Sequence, residues 1–299
     1  MSTLISTLAT TVATACAVGA PRREPRWRRP PPGATLGLSL LALLVAAAIV
    51  GPALIDDSAS GKLADRLRPP ALAGGSLDHP FGTDNLGRDI LDRMIVAARA
   101  SLVIALVATA LAAVIGVSLG LLSGFASGWV DLAVTWLMDT QQALPFVVIA
   151  IALVAARGQS VANVVAVLTL TGWVSYARVV RLSTESLRRA DFVDAARVGG
   201  SGTGRILARH ILPNVAPSII VIASQLAGAM LVYEAGLTFL GLGVPSGTLT
   251  WGGLVADGRV LLLPAWWVSA LPGVALVAAV LGLSLVGDWL NNTVFRSGS

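Results

Sequence analysis

Apolar residues gather into six long runs separated by polar segments. The first extends from Ala34 to Ile55 and the second from Ser101 to Phe125. The third lies within Trp129–Ala156, too long for one straight crossing, and Pro145 predicts a break inside it. The fourth covers Val161–Tyr176, the fifth Val215–Tyr233 and the sixth Val268–Gly287. Several approach the ~20 residues that carry a helix through the hydrocarbon of a bilayer. Between them lie a polar segment at 56–100, an arginine-rich one at 177–213 and a glycine-rich, partly apolar one at 234–267. The pattern predicts an all-α polytopic membrane protein with six transmembrane helices, and an even number of crossings leaves both termini on one side.

Composition agrees. Of 299 residues 55% are hydrophobic and 12% charged, and the mean hydropathy is +0.79. An ordinary soluble domain carries roughly 25% charged residues. The lone Cys16 excludes an internal disulfide, a cysteine zinc site and an iron–sulfur cluster. His79 and His210 lie far apart in sequence, which argues against a histidine-rich metal site. The single lysine, Lys62, is followed by Leu63 and has Asp56 where a P-loop needs its first glycine. The chain therefore has no P-loop of its own for ATP.

The net charge of +5 includes five arginines in Arg22–Arg29, just before the first apolar run. Without interleaved aromatics beyond Trp27, that stretch reads as a cytoplasmic anchor rather than a nucleic-acid arm. A secretory signal would place its basic residues before the apolar part, not after it. With the N-terminus inside, the inner segments carry 13 of the Lys and Arg residues and the outer ones eight.

Gly116, Gly120, Gly124 and Gly128 fall on one ridge of the second run, a device for close helix packing in lipid. In the polar segment, His79-Pro-Phe-Gly-Thr-Asp84-Asn-Leu-Gly87-Arg88-Asp89 leads into an amphipathic stretch. Asp84 is expected to cap a helix there, with Leu86, Ile90, Leu91, Met94 and Ile95 on one face, lying along the membrane surface. In the arginine-rich segment, Asp191 is expected to cap a short helix holding Asp194, Ala195 and Ala196. Gly199–Gly204 stop it, and a second helix runs from about Arg205 to Pro213. Such a helix–turn–helix, small-residued and arginine-flanked, suits a partner protein or is simply a solvated loop.

At these residues the chain resembles the permease subunits of bacterial ABC importers. Asp194-Ala-Ala, Gly200 and His210-Ile-Leu-Pro213 are similar to that family's EAA loop, with Asp194 where Glu is usual and with Gly202 and Gly204 loosening the turn. His79–Ile90, Glu234–Val244, Trp251–Arg259 and Gly287-Asp288-Trp-Leu resemble its dipeptide/oligopeptide/nickel branch. The resemblance covers about 36–290. Ahead of it, residues 1–33 read as a flexible basic cytoplasmic tail; 34–55 reads as a first transmembrane helix, and the resemblance implies that 56–100 is extracytoplasmic. A permease domain at 101–290 then contains a cytoplasmic coupling loop at 185–213.

The resemblance further implies a multi-pass protein of the bacterial cytoplasmic membrane that does not itself catalyse. Its partners would be a second, homologous permease, two P-loop ATPase subunits that bind the ATP and Mg, an extracytoplasmic peptide-binding protein and membrane lipid, with no nucleic acid. The function implied is uptake of di- and oligopeptides by alternating access, with nickel chelates or another small cargo as the alternative. The coupling residues would be Asp191, Asp194, Ala195, Ala196, Gly200, Arg205, His210 and Pro213. His79, Asp84, Gly87, Arg88 and Asp89 would form an extracytoplasmic motif.

Polar residues at membrane depth are costly and so are functional candidates. Asp139, Gln141, Gln142, Gln225 and Glu234 are the candidate pathway, with Asp139 and Glu234 equally able to fix helix packing. Two other classes compete. Gly199-Gly-Ser201-Gly fits an intramembrane serine protease, but Ser201 sits in an arginine-flanked loop. A stand-alone secondary transporter could use Asp139 and Glu234, yet has no need of a docking loop.

Overall fold

The computed structural model describes residues 31–55 and 60–295. The arginines of the tail, Cys16, Asp56 and Arg296 lie outside the described residues. Among the described residues the chain is helical and contains no strand. The helices are α1 (Pro32–Leu54), α2 (Ile90–Ala126), α3 (Gly128–Ala143), α4 (Phe146–Arg157) and α5 (Val161–Leu187). They continue with α6 (Asp191–Val198), α7 (Thr203–Phe239), α8 (Trp251–Gly258) and α9 (Trp267–Phe295).

Helices α2 and α5 form the centre. A β-carbon on Gly116 would stand 2.3 Å from the Trp173 carbonyl oxygen, on Gly120 2.7 Å from that of Ala177, and on Gly124 2.5 Å from that of Arg181. Only glycine permits so close a backbone approach, which in lipid replaces the hydrophobic effect as the source of helix packing. The fourth ridge glycine, Gly128, faces open space and starts α3 instead.

The same contacts show that α2 and α5 run parallel. The chain leaves α2 at one end of the bundle and enters α5 at the other, so α3 and α4 must carry it back. They do so with an 85° bend between them, at Leu144–Pro145, where proline denies the helix an N–H. At the far side Gln159 Nε2 donates to the Gly241 carbonyl oxygen (2.5 Å), joining the start of α5 to the end of α7. Among the described residues five helices are long and apolar enough to cross a membrane, and the bent pair taken as one span makes six. Helix α1 lies against Gly282–Val286 of α9 through Gly37 and against Ile95 through Gly51.

Several helices outrun their apolar runs. Helix α5 continues to Leu187, α7 to Phe239 and α9 to Phe295. In α5 the added turns carry Arg178, Arg181 and Thr184, whose polar side chains hid the extension from hydropathy. The surface helix expected before the second run is absent. Residues 90–100 are the first turns of α2 itself, with Ile90 buried among Ala265, Trp267 and Val268 and Arg93 buried beside them. The helix–turn–helix also differs: its second arm does not stop at Pro213 but runs on into the membrane as α7.

Candidate functional site

The helix–turn–helix at Asp191–Ile211 is seated by its apolar side. Val193 of α6 and Ile206 and Ile211 of α7 are buried with Val180 and Leu187 of α5 and Val215, against Leu121 and Phe125 of α2. Gly199 ends α6, and Gly200, at φ +76°, makes the left-handed turn that a side chain would resist. Asp191 is the first helical residue and not the cap, since Ala190 holds that position without a side-chain bond. Its charge still lies at the helix N-terminus, where the dipole favours it. Asp194 accepts a 2.9 Å bond from Arg197 Nη1, and the Arg197 guanidinium lies 5.4 Å from the centre of the Phe125 ring.

The outward side carries Asp191, Asp194, Ala195, Gly200, Arg205 and Arg209, all exposed, while Ala196 and His210 are half-buried. Phe192 and Val198, the latter 91% exposed, complete that surface and were not singled out from sequence. Their signal was available: both fall off the buried Val193 face. Between the arm and the membrane, Leu207–Ile211 is wound as a π-helix. Pro213 and Pro217 withhold two N–H donors from the turns that precede them. In the same turns the Asn214 side chain donates to the His210 carbonyl.

At the opposite end, residues 60–89 form a compact knot over the starts of α2 and α9. Asp84, fully buried, does not cap a helix. Its Oδ1 accepts from the backbone N–H groups of Leu86 (2.8 Å) and Arg88 (2.9 Å). Its Oδ2 accepts from Arg88 Nε and Arg93 Nη1, both at 2.7 Å. Asp89 is the cap of α2, accepting from Leu91 and Asp92 N–H, and its other oxygen lies 2.8 Å from His79 Nδ1. A β-carbon on Gly87 would lie 2.0 Å from the Lys62 carbonyl oxygen. Arg93 also reaches Asp257 (3.7 Å), so two stretches distant in sequence meet at one guanidinium. Trp267 Nε1 donates to the Thr83 carbonyl (3.1 Å) and fastens α9 to the same knot.

The five pathway candidates have separate partners. Asp139 pairs with Arg178 of α5 at 3.3 Å, both side chains about half exposed or more. Gln141 Oε1 accepts from Trp173 Nε1 (2.6 Å), and its Nε2 donates to the Leu170 carbonyl. Gln142 is exposed, and Gln225 lies next to Gly287 of α9. Glu234 is wholly buried. Its Oε1 accepts from Thr238 and Thr250 Oγ1, both at 2.9 Å, and Thr250 also caps α8 through Gly253 N–H. These contacts join α8 to α7, while the other oxygen, Oε2, is buried with no hydrogen-bond partner among the described residues. Sequence reasoning passed over Asp131, which accepts from Ser123 Oγ (2.6 Å) and from Arg181 (2.7 Å to Nη2).

Residues 116–297 match the family described as binding-protein-dependent transport system inner membrane component. The chain is 36% identical over 264 residues to a di/tripeptide transport system permease protein of Pseudomonas aeruginosa, covering 88% of this chain and 87% of that one. It is 35% identical over 262 residues to a dipeptide transport system permease protein of Alkalihalophilus pseudofirmus, covering 87% and 84%. An oligopeptide transport system permease protein of Bacillus subtilis is 34% identical over 262 residues, again covering 87% and 84%. With its membrane-spanning bundle and these relatives across most of its length, the chain belongs to the family of inner-membrane components of binding-protein-dependent transport systems.

Proposed function

We propose that the chain is one of two pore-forming subunits of an ATP-driven importer of short peptides. The names of its relatives support a di- or oligopeptide as cargo. The observation that carries the reading is the seating of Asp191–Ile211: an exposed outer surface on an apolar underside buried against α2, α5 and α7. A rigidly seated element of this kind can pass a displacement at the surface to three membrane helices at once.

In this reading two separate ATPase subunits bind ATP and Mg and take up the 191–211 surface. This chain performs no chemistry. ATP shifts the inward/outward balance only by binding the two states unequally, so its effect must reach the membrane helices through the docked loop. The backbone contact of α2 with α5 makes those two helices answer as one body. The 191–211 end, shared by the start of α1 and the end of α9, faces the cytoplasm. The knot at 60–89 faces outward, where a peptide-binding protein delivers substrate.

Purification of the tagged chain from its native membrane in mild detergent tests this. Recovery of a second, related permease with P-loop ATPases is the expected result. Recovery of the chain alone, still moving peptide without ATP, overturns it in favour of a secondary transporter.

A further inference from the structure

Helix α3 is attached to the bundle unlike α2 and α5. Met138 is its one fully buried residue among those described. Apart from the packing of Met138 and Val134 on Ala112, Trp173 and Tyr176, its attachments are side-chain bonds: Asp131 to Ser123 and Arg181, Asp139 to Arg178, and Gln141 to Trp173 and the Leu170 carbonyl. At one end it turns out of α2 through Ser127, at φ +55°. At the other it bends by 85° into α4; Ala143, Leu144 and Pro145 are all exposed, and the chain is held again only from Phe146, whose ring lies 5.0 Å from that of Tyr233.

We infer that α3 parts from the joined α2–α5 body during transport, and that Asp131 and Arg181 are positioning residues that set its docked place. The inference rests on the importer reading above. Backbone-to-backbone contact of the α2–α5 kind must be lost as a whole, whereas single interhelical polar bonds in lipid are modest and can be exchanged. Bends at the ends of an element are where hinge motion is absorbed. The Asp131 joint also lies close to the proposed docking surface. Ser123, its donor, is two residues before Phe125, whose ring faces Arg197 of α6 and whose carbonyl accepts from Arg188 (3.0 Å). A push on α6 therefore meets α2 close to where α3 is fastened.

The test uses the complete transporter with Cys16→Ser. Spin labels at Leu122→Cys and Leu132→Cys, both exposed, report α2 against α3. Labels at Leu122→Cys and Ser186→Cys report α2 against α5. Between ATP-free and vanadate-trapped states the first distance should change and the second should hold. An unchanged first distance in a transporter whose uptake still requires ATP overturns the inference and leaves the importer reading standing. Uptake that does not require ATP removes both.

Asp131→Asn supplies a second readout: uptake per ATP hydrolysed should fall roughly ten-fold, the scale of one interhelical polar bond. The exchange Asp131→Arg with Arg181→Asp should recover most of it. A merely structural role would instead lower assembly and ATP hydrolysis together with uptake.

Discussion

Arg93 Nη1 and Asp84 Oδ2 lie 2.7 Å apart with both side chains at most 3% exposed, and they join the polar knot at 60–89 to the first turn of α2. Charges buried this deeply are stable only while paired, and removing one partner typically costs about 3–5 kcal/mol. Arg93→Met should therefore strip Asp84 of its buried partner and sharply lower the yield of folded protein in the membrane. Arg88→Met, whose side chain is partly exposed, should cost less. Thermal stability of the two variants in detergent checks the order, and equal losses would refute it.

The α2–α5 contact admits no side chain. Gly120→Leu would drive a β-carbon to 2.7 Å from the Ala177 carbonyl and the rest of the side chain into α5. Overpacking of this kind costs roughly 1–3 kcal/mol where neighbours can shift, and more where the obstacle is backbone. Gly128→Ala, facing open space, should disturb packing far less and act only through the backbone. Melting temperatures in detergent should separate the two variants clearly.

The docking surface and its anchor should fail differently. Asp194→Lys leaves the buried underside intact, so the protein should fold while uptake is lost and ATP hydrolysis continues. Val193→Asp places an unpaired charge in the apolar seat and should destabilise the whole 187–215 region. Uptake and hydrolysis in the assembled transporter, together with proteolysis of the loop, distinguish the two. Normal uptake by Asp194→Lys would count against this loop as the docking element.

Thr250 serves both α8 and Glu234. Thr250→Val removes an N-cap, a loss of ~1 kcal/mol, and takes a hydrogen bond from a carboxylate oxygen with no exposure. Hydrogen exchange across 251–258 should accelerate while α7 stays protected. Uniform acceleration would mean that Thr250 supports the bundle at large.

The two glutamines of α3 are expected to part company. Gln142→Leu changes an exposed position and should alter cargo preference without loss of stability. Gln141→Leu also orphans the Trp173 Nε1 donor and should destabilise the α3–α5 contact, by about 1–3 kcal/mol for a buried group left unpaired. Competition among peptides of different length reads the first effect and thermal unfolding the second.

The number of crossings, the break at Pro145 and the turn at Gly199–Gly200 were all legible in the chain, because each rests on a local property. Hydropathy is summed over adjacent residues, proline lacks its own N–H, and glycine alone relaxes into the left-handed turn. What could not be read locally were the partners of polar groups. Asp84 looked like a cap because an acidic residue after a Gly-Thr turn often is one. Its true ligands include Arg93, a full nine residues on and on the far side of the cap made by Asp89. Glu234 could have lined a path or packed a helix. The contact that bears on the choice, with Thr250, is brought in by the return of α8. Asp131 carries no signal within its own helix, because its partner Arg181 lies fifty positions away. In a membrane chain the apolar pattern states which residues leave water. Which buried polar atom meets which depends on how the helices pack, and no periodicity within one helix records that.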